Sequence, residues 1–340
     1  MTRQLPTSNS QLPKRLDSCL WALGVGSWVL TTLLTTASPA EAAERYAVII
    51  SGVSGGEKYA AQQKRWREEV ATFLTVGLAV PDANLVVLDE ESEGSSTSTA
   101  ANIRRVLGDL RRRVTASDTL LIVLLGHGTY DGIDAKFNLV GPDLSAPEWK
   151  DALDGLAGRV IVVNTTASSF PFLEQLSAKG RVVITATDSA AQRFATVFPE
   201  YFIRSLVDRS SDVDKNGRVS ILEAFNAASA GVKQHYEQRG QLSTERPLID
   251  DDGDGMGREA GAPGPDGTLA GTVYLDPEPG TLTSGDAEVA ALERQRLVLV
   301  AQLEALKEKK PSMSDDQYQA ELEKILVELA RVAQQIRQRS

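Results

Sequence analysis

Five short apolar segments, rich in β-branched residues, recur between residues 46 and 186 and restrict the fold more than any other feature. Longer segments with helical spacing of apolar residues separate them. The predicted strands are residues 46–51, 84–88, 119–125, 159–163 and 181–186. The predicted helices are residues 57–77, 99–114, 147–156, 169–177, 199–207 and 221–240. This alternation predicts an α/β fold with three layers, in which helices cover both faces of a mainly parallel sheet.

The composition limits which classes of macromolecule this protein is expected to bind. The chain has 340 residues, of which 42% are hydrophobic and 24% charged, enough for a large core in one or two domains. Its formal net charge is -10. Because nucleic acids and anionic membranes select clustered Lys and Arg, the charge argues against both as partners.

The first 42 residues have the layout of a secretory signal peptide. Basic residues precede the apolar stretch 19–34, and the small-residue run 37–43 offers cleavage after Ala40 or Ala42. The sequence therefore predicts an exported protein, periplasmic or extracellular. The alternative is an uncleaved membrane anchor, because residues 19–36 carry no charge and approach the length of a bilayer span. Cleavage would remove Cys19, the only cysteine, so we expect no disulfide.

The character of the chain changes twice after the predicted core, residues 45–208. Residues 209–280 contain an acidic loop, a helix and an irregular stretch, 247–279, rich in Gly, Asp and Pro. Residues 286–340 are rich in Ala, Leu, Glu, Lys and Arg in helical register, with Pro311 between two helices. Apolar residues from Tyr318 to Ile336 repeat with heptad spacing. We expect an antiparallel helical hairpin or coiled coil, serving in oligomerisation or docking, or packing only within the chain.

Polar residues at strand ends are the candidates for chemistry, since parallel sheets place their sites at the carboxyl ends of strands. The third strand is followed by Gly126, His127 and Gly128. Glycines on both sides allow a tight turn that exposes the imidazole, although an incidental histidine is the plainer interpretation. The fourth strand is followed by the polar run Asn164-Thr165-Thr166-Ala167-Ser168-Ser169.

These two strand ends resemble those of caspase-like cysteine peptidases, and among them the bacterial legumain-like C13 family. There the third strand delivers the catalytic His. The fourth ends in an acidic residue, a small one, the nucleophilic Cys, a further residue and a Ser-Gly pair. By this resemblance His127 takes the position of the His, and Asn164 that of the acidic residue. Thr166 replaces the Cys, and the Ser-Gly pair falls on Ser168 and Ser169.

The resemblance implies a peptidase fold that lacks the nucleophilic thiol of the family. A threonine hydroxyl is not a nucleophile until a base activates it, whereas a thiol is partly ionised near neutral pH. We therefore expect a pseudopeptidase whose cleft, containing Gly126, Gly128, Asn164 and Ser168, binds a peptide or protein without cutting it. One alternative is a hydrolase that uses Thr166 or Ser168 with His127, and another is a purely structural scaffold.

The segment 212–223 matches the twelve-residue calcium loop of EF-hands. Its predicted ligands are Asp212, Asp214, Asn216, the Arg218 carbonyl, Ser220 and Glu223. Gly217 allows the sharp turn, and Val219 is expected to point inward. We expect Ca²⁺ to stabilise an exported protein at this loop rather than to regulate it.

A second acidic segment repeats the alternating carboxylates, with Asp250, Asp252 and Asp254 as candidate ligands. Its twelfth position is Gly261 instead of Glu, and Glu259 is the candidate replacement. A solvated linker is the alternative.

Overall fold

The computed structural model describes residues 43–276 and 313–339, together with scattered positions between 292 and 310. The signal peptide or anchor predicted within residues 1–42 lies outside the described residues. No helix in the described part of the chain is both long enough and apolar enough to cross a membrane.

The central sheet has six strands in the order β2-β1-β3-β7-β8-β9, and all but β9 are parallel. A second sheet, β4-β5-β6, is antiparallel. The strands are β1 (Arg45–Ser51), β2 (Leu85–Leu88), β3 (Thr119–Leu125), β4 (Gly128–Tyr130), β5 (Ala135–Phe137), β6 (Leu144–Ser145), β7 (Arg159–Asn164), β8 (Arg181–Thr185) and β9 (Leu248–Asp250). The prediction of an α/β fold with a mainly parallel sheet is confirmed.

Seven α-helices lie within the described residues. They are α1 (Glu57–Thr72), α2 (Ala100–Arg113), α3 (Ala146–Leu153), α4 (Phe170–Leu176), α5 (Phe198–Val207), α6 (Ile221–Gln238) and α7 (Asp315–Arg339). A π-helical turn, Phe73–Gly77, extends α1. α3 begins with a capping box in which Ser145 and Glu148 satisfy each other's backbone amides.

Alternate residues of the parallel strands face two separate hydrophobic cores. Ile49 and Val123 pack with side chains of α1, α5 and α6, whereas Ile50 and Ile122 pack with those of α2, α3 and α4. Because both faces are buried, each strand reads in the sequence as a continuous apolar run. The three layers follow directly from this alternation.

The irregular segment predicted for residues 247–279 is only partly irregular. β9 pairs antiparallel with β8, and the buried residues Ala270, Val273 and Leu275 join the core on the α5–α6 side. The Arg45 guanidinium donates to the carbonyls of Leu78 and Leu275, at 2.7 and 3.0 Å. The segment 270–276 is thus hydrogen-bonded to the amino end of β1 through Arg45.

Apolar residues of the predicted C-terminal seam form two small clusters. Leu292 and Leu299 pack with Val332 and Leu329 in one of them. In the other, Leu306 packs with Tyr318 and Ile325. The first cluster pairs residues early in the segment 292–310 with residues late in α7, and the second pairs Leu306 with residues in the first half of α7.

Candidate functional site

The carboxyl ends of β1, β3, β7 and β8 lie side by side at one edge of the sheet, which we call the carboxyl edge. The segments that follow these strands bring Ser54, His127, Thr166 and Thr187 to this edge. The two strand ends singled out in the sequence are neighbours, because β3 pairs directly with β7.

His127 lies between β3 and β4 and is half-buried. Its Nε2–H donates to the Ser54 carbonyl oxygen at 2.9 Å. In a neutral imidazole this bond leaves Nδ1 as the acceptor. The ring also meets Tyr59 edge to face, with 4.8 Å between ring centroids. Ser54 and Tyr59 were not predicted; their position just after β1, beside β3, is the signal that identifies them.

Thr166 is fully buried, and its hydroxyl is engaged within its own loop. The hydroxyl donates to Asn164 Oδ1 at 2.8 Å and lies 3.1 Å from the Ala167 carbonyl oxygen. Asn164 Oδ1 also accepts the Thr166 backbone N–H at 3.1 Å. Among the described residues, Thr166 and His127 share no hydrogen bond, so the imidazole is not placed to deprotonate this hydroxyl.

The loops after β3 and β7 are in close contact. A Cβ atom built on Gly128 would lie 2.6 Å from Thr166 Oγ1 and 2.4 Å from the Ala167 carbonyl oxygen. Only a residue without a side chain fits at this separation. The neighbouring Gly126 has a φ of 139°, in the region that favours glycine. Geometry therefore requires both glycines around His127. Gly126 is required for its backbone angle, and Gly128 for the close approach of its loop to Thr166 and Ala167.

A buried network of polar groups continues from Thr166 toward β8. Ser168 has a left-handed φ of 52°, and its N–H and hydroxyl both donate to the Gln192 carbonyl, at 2.8 and 2.9 Å. The hydroxyls of Ser169 and Thr187 lie 3.0 Å apart. Asn164 Nδ2 is buried and has no hydrogen-bond partner among the described residues. Because Asn164, Thr166 and Ser168 are buried, a ligand at this edge meets the surrounding surface instead.

The surface around this network carries exposed apolar side chains. Ile133, in the turn between β4 and β5, is 85% exposed, and Phe194, after β8, is 71% exposed. A nearby cavity of about 340 Å³ is lined by Tyr130, Ile133, Phe170 and Asp188, among other residues. Single exposed apolar residues are ordinary, but here Ile133 lines a cavity at the carboxyl edge.

A long-range contact that the sequence did not indicate holds the segments behind this edge. The buried carboxylate of Glu245 accepts the backbone N–H groups of Val197 and Phe198 at the start of α5, and the Tyr236 hydroxyl at 2.6 Å. Burial is the largest influence and raises the pKa of Glu245, although these hydrogen bonds oppose it. Burial likewise raises the pKa of Tyr236, to about 12.

The first acidic loop joins α5 to α6. One carboxylate oxygen from each of Asp212, Asp214 and Glu223 lies within 4.8 Å of the others. That spacing suits Ca²⁺, whose oxygen ligands lie 2.3–2.6 Å from the ion. Burial, together with the negative charge of Glu223, raises the pKa of Asp214. The donor set thus combines hard oxygens with mutual repulsion that a divalent cation would relieve.

The backbone of this loop has the features expected of a calcium loop. Gly217, at the sixth position, has a φ of 85°. Ser220 caps α6, and its hydroxyl and N–H both donate to Glu223 Oε2. Val219 is buried, and the neighbouring Ser220 forms a β-bridge with Tyr274. The structure therefore brings together the predicted carboxylates, while Tyr274 is a neighbour the sequence did not indicate.

The second acidic loop also brings its predicted carboxylates together. Oxygens of Asp250, Asp252 and Asp254 lie within 4.8 Å of one another. Asp250 is fully buried and accepts the N–H groups of Gly253 and Gly255. Glu259, the candidate replacement for the missing twelfth ligand, forms a 2.9 Å ion pair with Arg246 instead.

Comparison with known proteins identifies no family. No protein-family model matches the sequence, and no curated protein matches it. Among solved structures, protein GSU0716 from Geobacter sulfurreducens is 14% identical, with a TM-score of 0.38, over 65% of this chain and 95% of that one. The Drosophila initiator caspase Dronc is 11% identical, with a TM-score of 0.39, over 63% of this chain and 81% of that one. The resemblance to caspase-like peptidases therefore rests on the residues of the sequence.

Proposed function

We propose that this protein is an exported, non-catalytic scaffold of caspase-like architecture, stabilised by Ca²⁺, whose carboxyl edge binds a peptide or protein. The observation that carries the proposal is the state of Thr166. The hydroxyl at the nucleophile position is fully buried and bonded to Asn164, and His127 is bonded to Ser54. Hydrolysis would require this hydroxyl to leave its bond and become exposed.

The catalytic part of the proposal is tested with a mixed library of peptide substrates. We expect no turnover above that of a buffer blank, in the wild type or in the His127→Ala and Thr166→Ala variants. Turnover by the wild type that disappears in both variants would show that the protein is a hydrolase. Far-UV circular dichroism of both variants shows whether a loss of activity reflects unfolding.

The binding part is tested by selecting displayed peptides on the purified protein. We expect Phe194→Asp to abolish recovery of the selected peptides, because this exposed ring lies at the carboxyl edge. Val76→Asp is the matched control, since Val76 is 78% exposed in the turn after α1. This turn precedes β2 and lies toward the opposite edge of the sheet, where the parallel strands begin, which we call the amino edge. Undiminished recovery by Phe194→Asp would place the binding away from the carboxyl edge, and no enrichment by the wild type would favour the purely structural scaffold.

The C-terminal segment completes the proposal as an antiparallel helical hairpin. Its support is the pairing order of the two clusters, in which Leu306 meets Tyr318 near the predicted turn and Leu292 meets Val332 far from it. We use the name arm for residues 292–339. The arm follows the core through residues 277–291.

A further inference from the structure

The middle of the arm has more apolar surface than a two-helix hairpin can bury. Beyond the seam, Val298 is 56% exposed, Leu326 47% and Val327 60%. The sequence is continuously apolar in this part, with Leu-Val-Leu-Val-Ala at 297–301 and Ile-Leu-Val at 325–327. A helix with exposed apolar residues beyond its seam favours cover beyond that of a single neighbouring helix. We infer that the arm of a second copy of this chain covers this middle part, giving a four-helix bundle.

The heptad register places exposed apolar residues on both sides of the seam. With Tyr318, Ile325 and Val332 at equivalent seam positions, Leu326 occupies the e position beside the seam. The same register, counted from Leu299, gives the exposed Val298 the c position, next to the g positions on the other side. In an antiparallel pair the e positions of both helices share one side. The g positions share the other side, whose groove is lined by the apolar residues Leu299, Leu306, Met313 and Ile325 and by the polar residues Gln302, Glu321, Lys324 and Glu328.

The charges of the arm favour a second copy in antiparallel orientation as the occupant. The end far from the turn, residues 292–296 and 331–339, contains five Arg and one Glu. The end near the turn, residues 304–323, contains three Lys and six Asp or Glu. When two arms align head to tail, each basic end meets an acidic end and the apolar middle parts coincide. A parallel alignment would place like charges together.

This inference rests on the proposed hairpin but not on the absence of catalysis or on calcium. Sedimentation equilibrium of the purified protein should show a dimer. Leu326→Glu should raise the dissociation constant by about 100-fold, as expected for loss of a buried leucine at each copy's contact. The control Gln317→Glu adds the same charge at an exposed position near the turn, outside the apolar middle part, and should leave the dimer intact. A monomeric wild type, or equal dimerisation of both variants, would overturn the inference.

The orientation is tested with spin labels in a Cys19→Ser background, which removes the only native cysteine. A label at Val327→Cys lies near the middle of the arm, so its distance to the partner's label should be short. A label at Arg337→Cys lies ten residues away. In an antiparallel bundle the second pair should be about 30 Å farther apart along the axis, at 1.5 Å per residue in each helix. Equal distances at both positions would mean that the arms are parallel.

A failed hairpin is distinguishable from a failed dimer. Loss of helical signal in Leu326→Glu would show that the substitution unfolds the arm. The spin-label distances, measured without that substitution, then decide the inference. Calcium titration and peptide turnover report on the proposed function independently.

Discussion

Substitution of Gly128 by alanine tests whether the loop carrying His127 really closes on the loop carrying Thr166. The new methyl group would lie 2.4 Å from the Ala167 carbonyl oxygen and 2.6 Å from Thr166 Oγ1. One of these atoms belongs to the backbone and the other to a fully buried side chain, so neither can move without disturbing the core. Overpacking of this kind costs about 1–3 kcal/mol. With two such contacts, we expect Gly128→Ala to lower the free energy of unfolding by about 3 kcal/mol.

The control is Gly108→Ala in the middle of α2. No atom lies within 4 Å of a Cβ built there, apart from its chain neighbours and its own helix. Alanine is the better helix former, so this variant should be more stable than the wild type by about 0.5–1 kcal/mol. The two glycine-to-alanine changes are chemically identical and should shift stability in opposite directions.

Urea unfolding followed by circular dichroism measures both variants against the wild type. If Gly128→Ala unfolds within about 0.5 kcal/mol of the wild type, the two loops are not in contact. The Thr166 hydroxyl would then be open to solvent on this side, and the argument against catalysis from its burial would fail.

Two further predictions concern calcium and pH. The wild type should melt about 5 °C higher in Ca²⁺ than in chelator if Ca²⁺ is near 100 times its dissociation constant. Glu223→Gln should remove this difference, whereas the control Glu321→Gln, on α7, should keep it. Overlapping wild-type melting curves would exclude stabilisation by calcium. Burial raises the pKa of Glu245 in the folded state, so stability should fall as the pH rises from about 4.3, the unfolded value, through the raised folded value. In Glu245→Gln the urea midpoint should change little with pH over this range. If the midpoint of the variant falls with pH as steeply as that of the wild type, other groups cause the pH dependence.

The strands of the core were predictable because burial on both faces leaves a plain signal. Leu120 to Leu125 is apolar throughout, since alternate residues face different cores. β4, β5 and β6 have only two or three residues each, too few for any periodicity to appear. β9 was missed for the same reason, and its pairing with β8 depends on a contact between distant parts of the chain.

The site was predictable in position but not in internal geometry. Adjacent parallel strands bring His127 and Thr166 to one edge whatever their side chains do. Whether the Thr166 hydroxyl faces solvent depends on Asn164, which accepts both its N–H and its O–H. The contact of Glu245 with the start of α5 joins residues that are 47 or 48 positions apart in the sequence. No local pattern contains information at that distance.

The hydrogen bond from Arg45 to the Leu275 carbonyl determines where the described part of the core ends. Arg45 is the first residue of β1, so the last described residues of the core lie at the amino edge, and His127 lies at the opposite edge. If the proposed dimer joins through arms that leave the core at the amino edge, both carboxyl edges remain open at the same time. A ligand with repeated epitopes would be held by two weak contacts acting together, and its apparent affinity would exceed that of either contact by about 10²–10⁴-fold where the spacing matches.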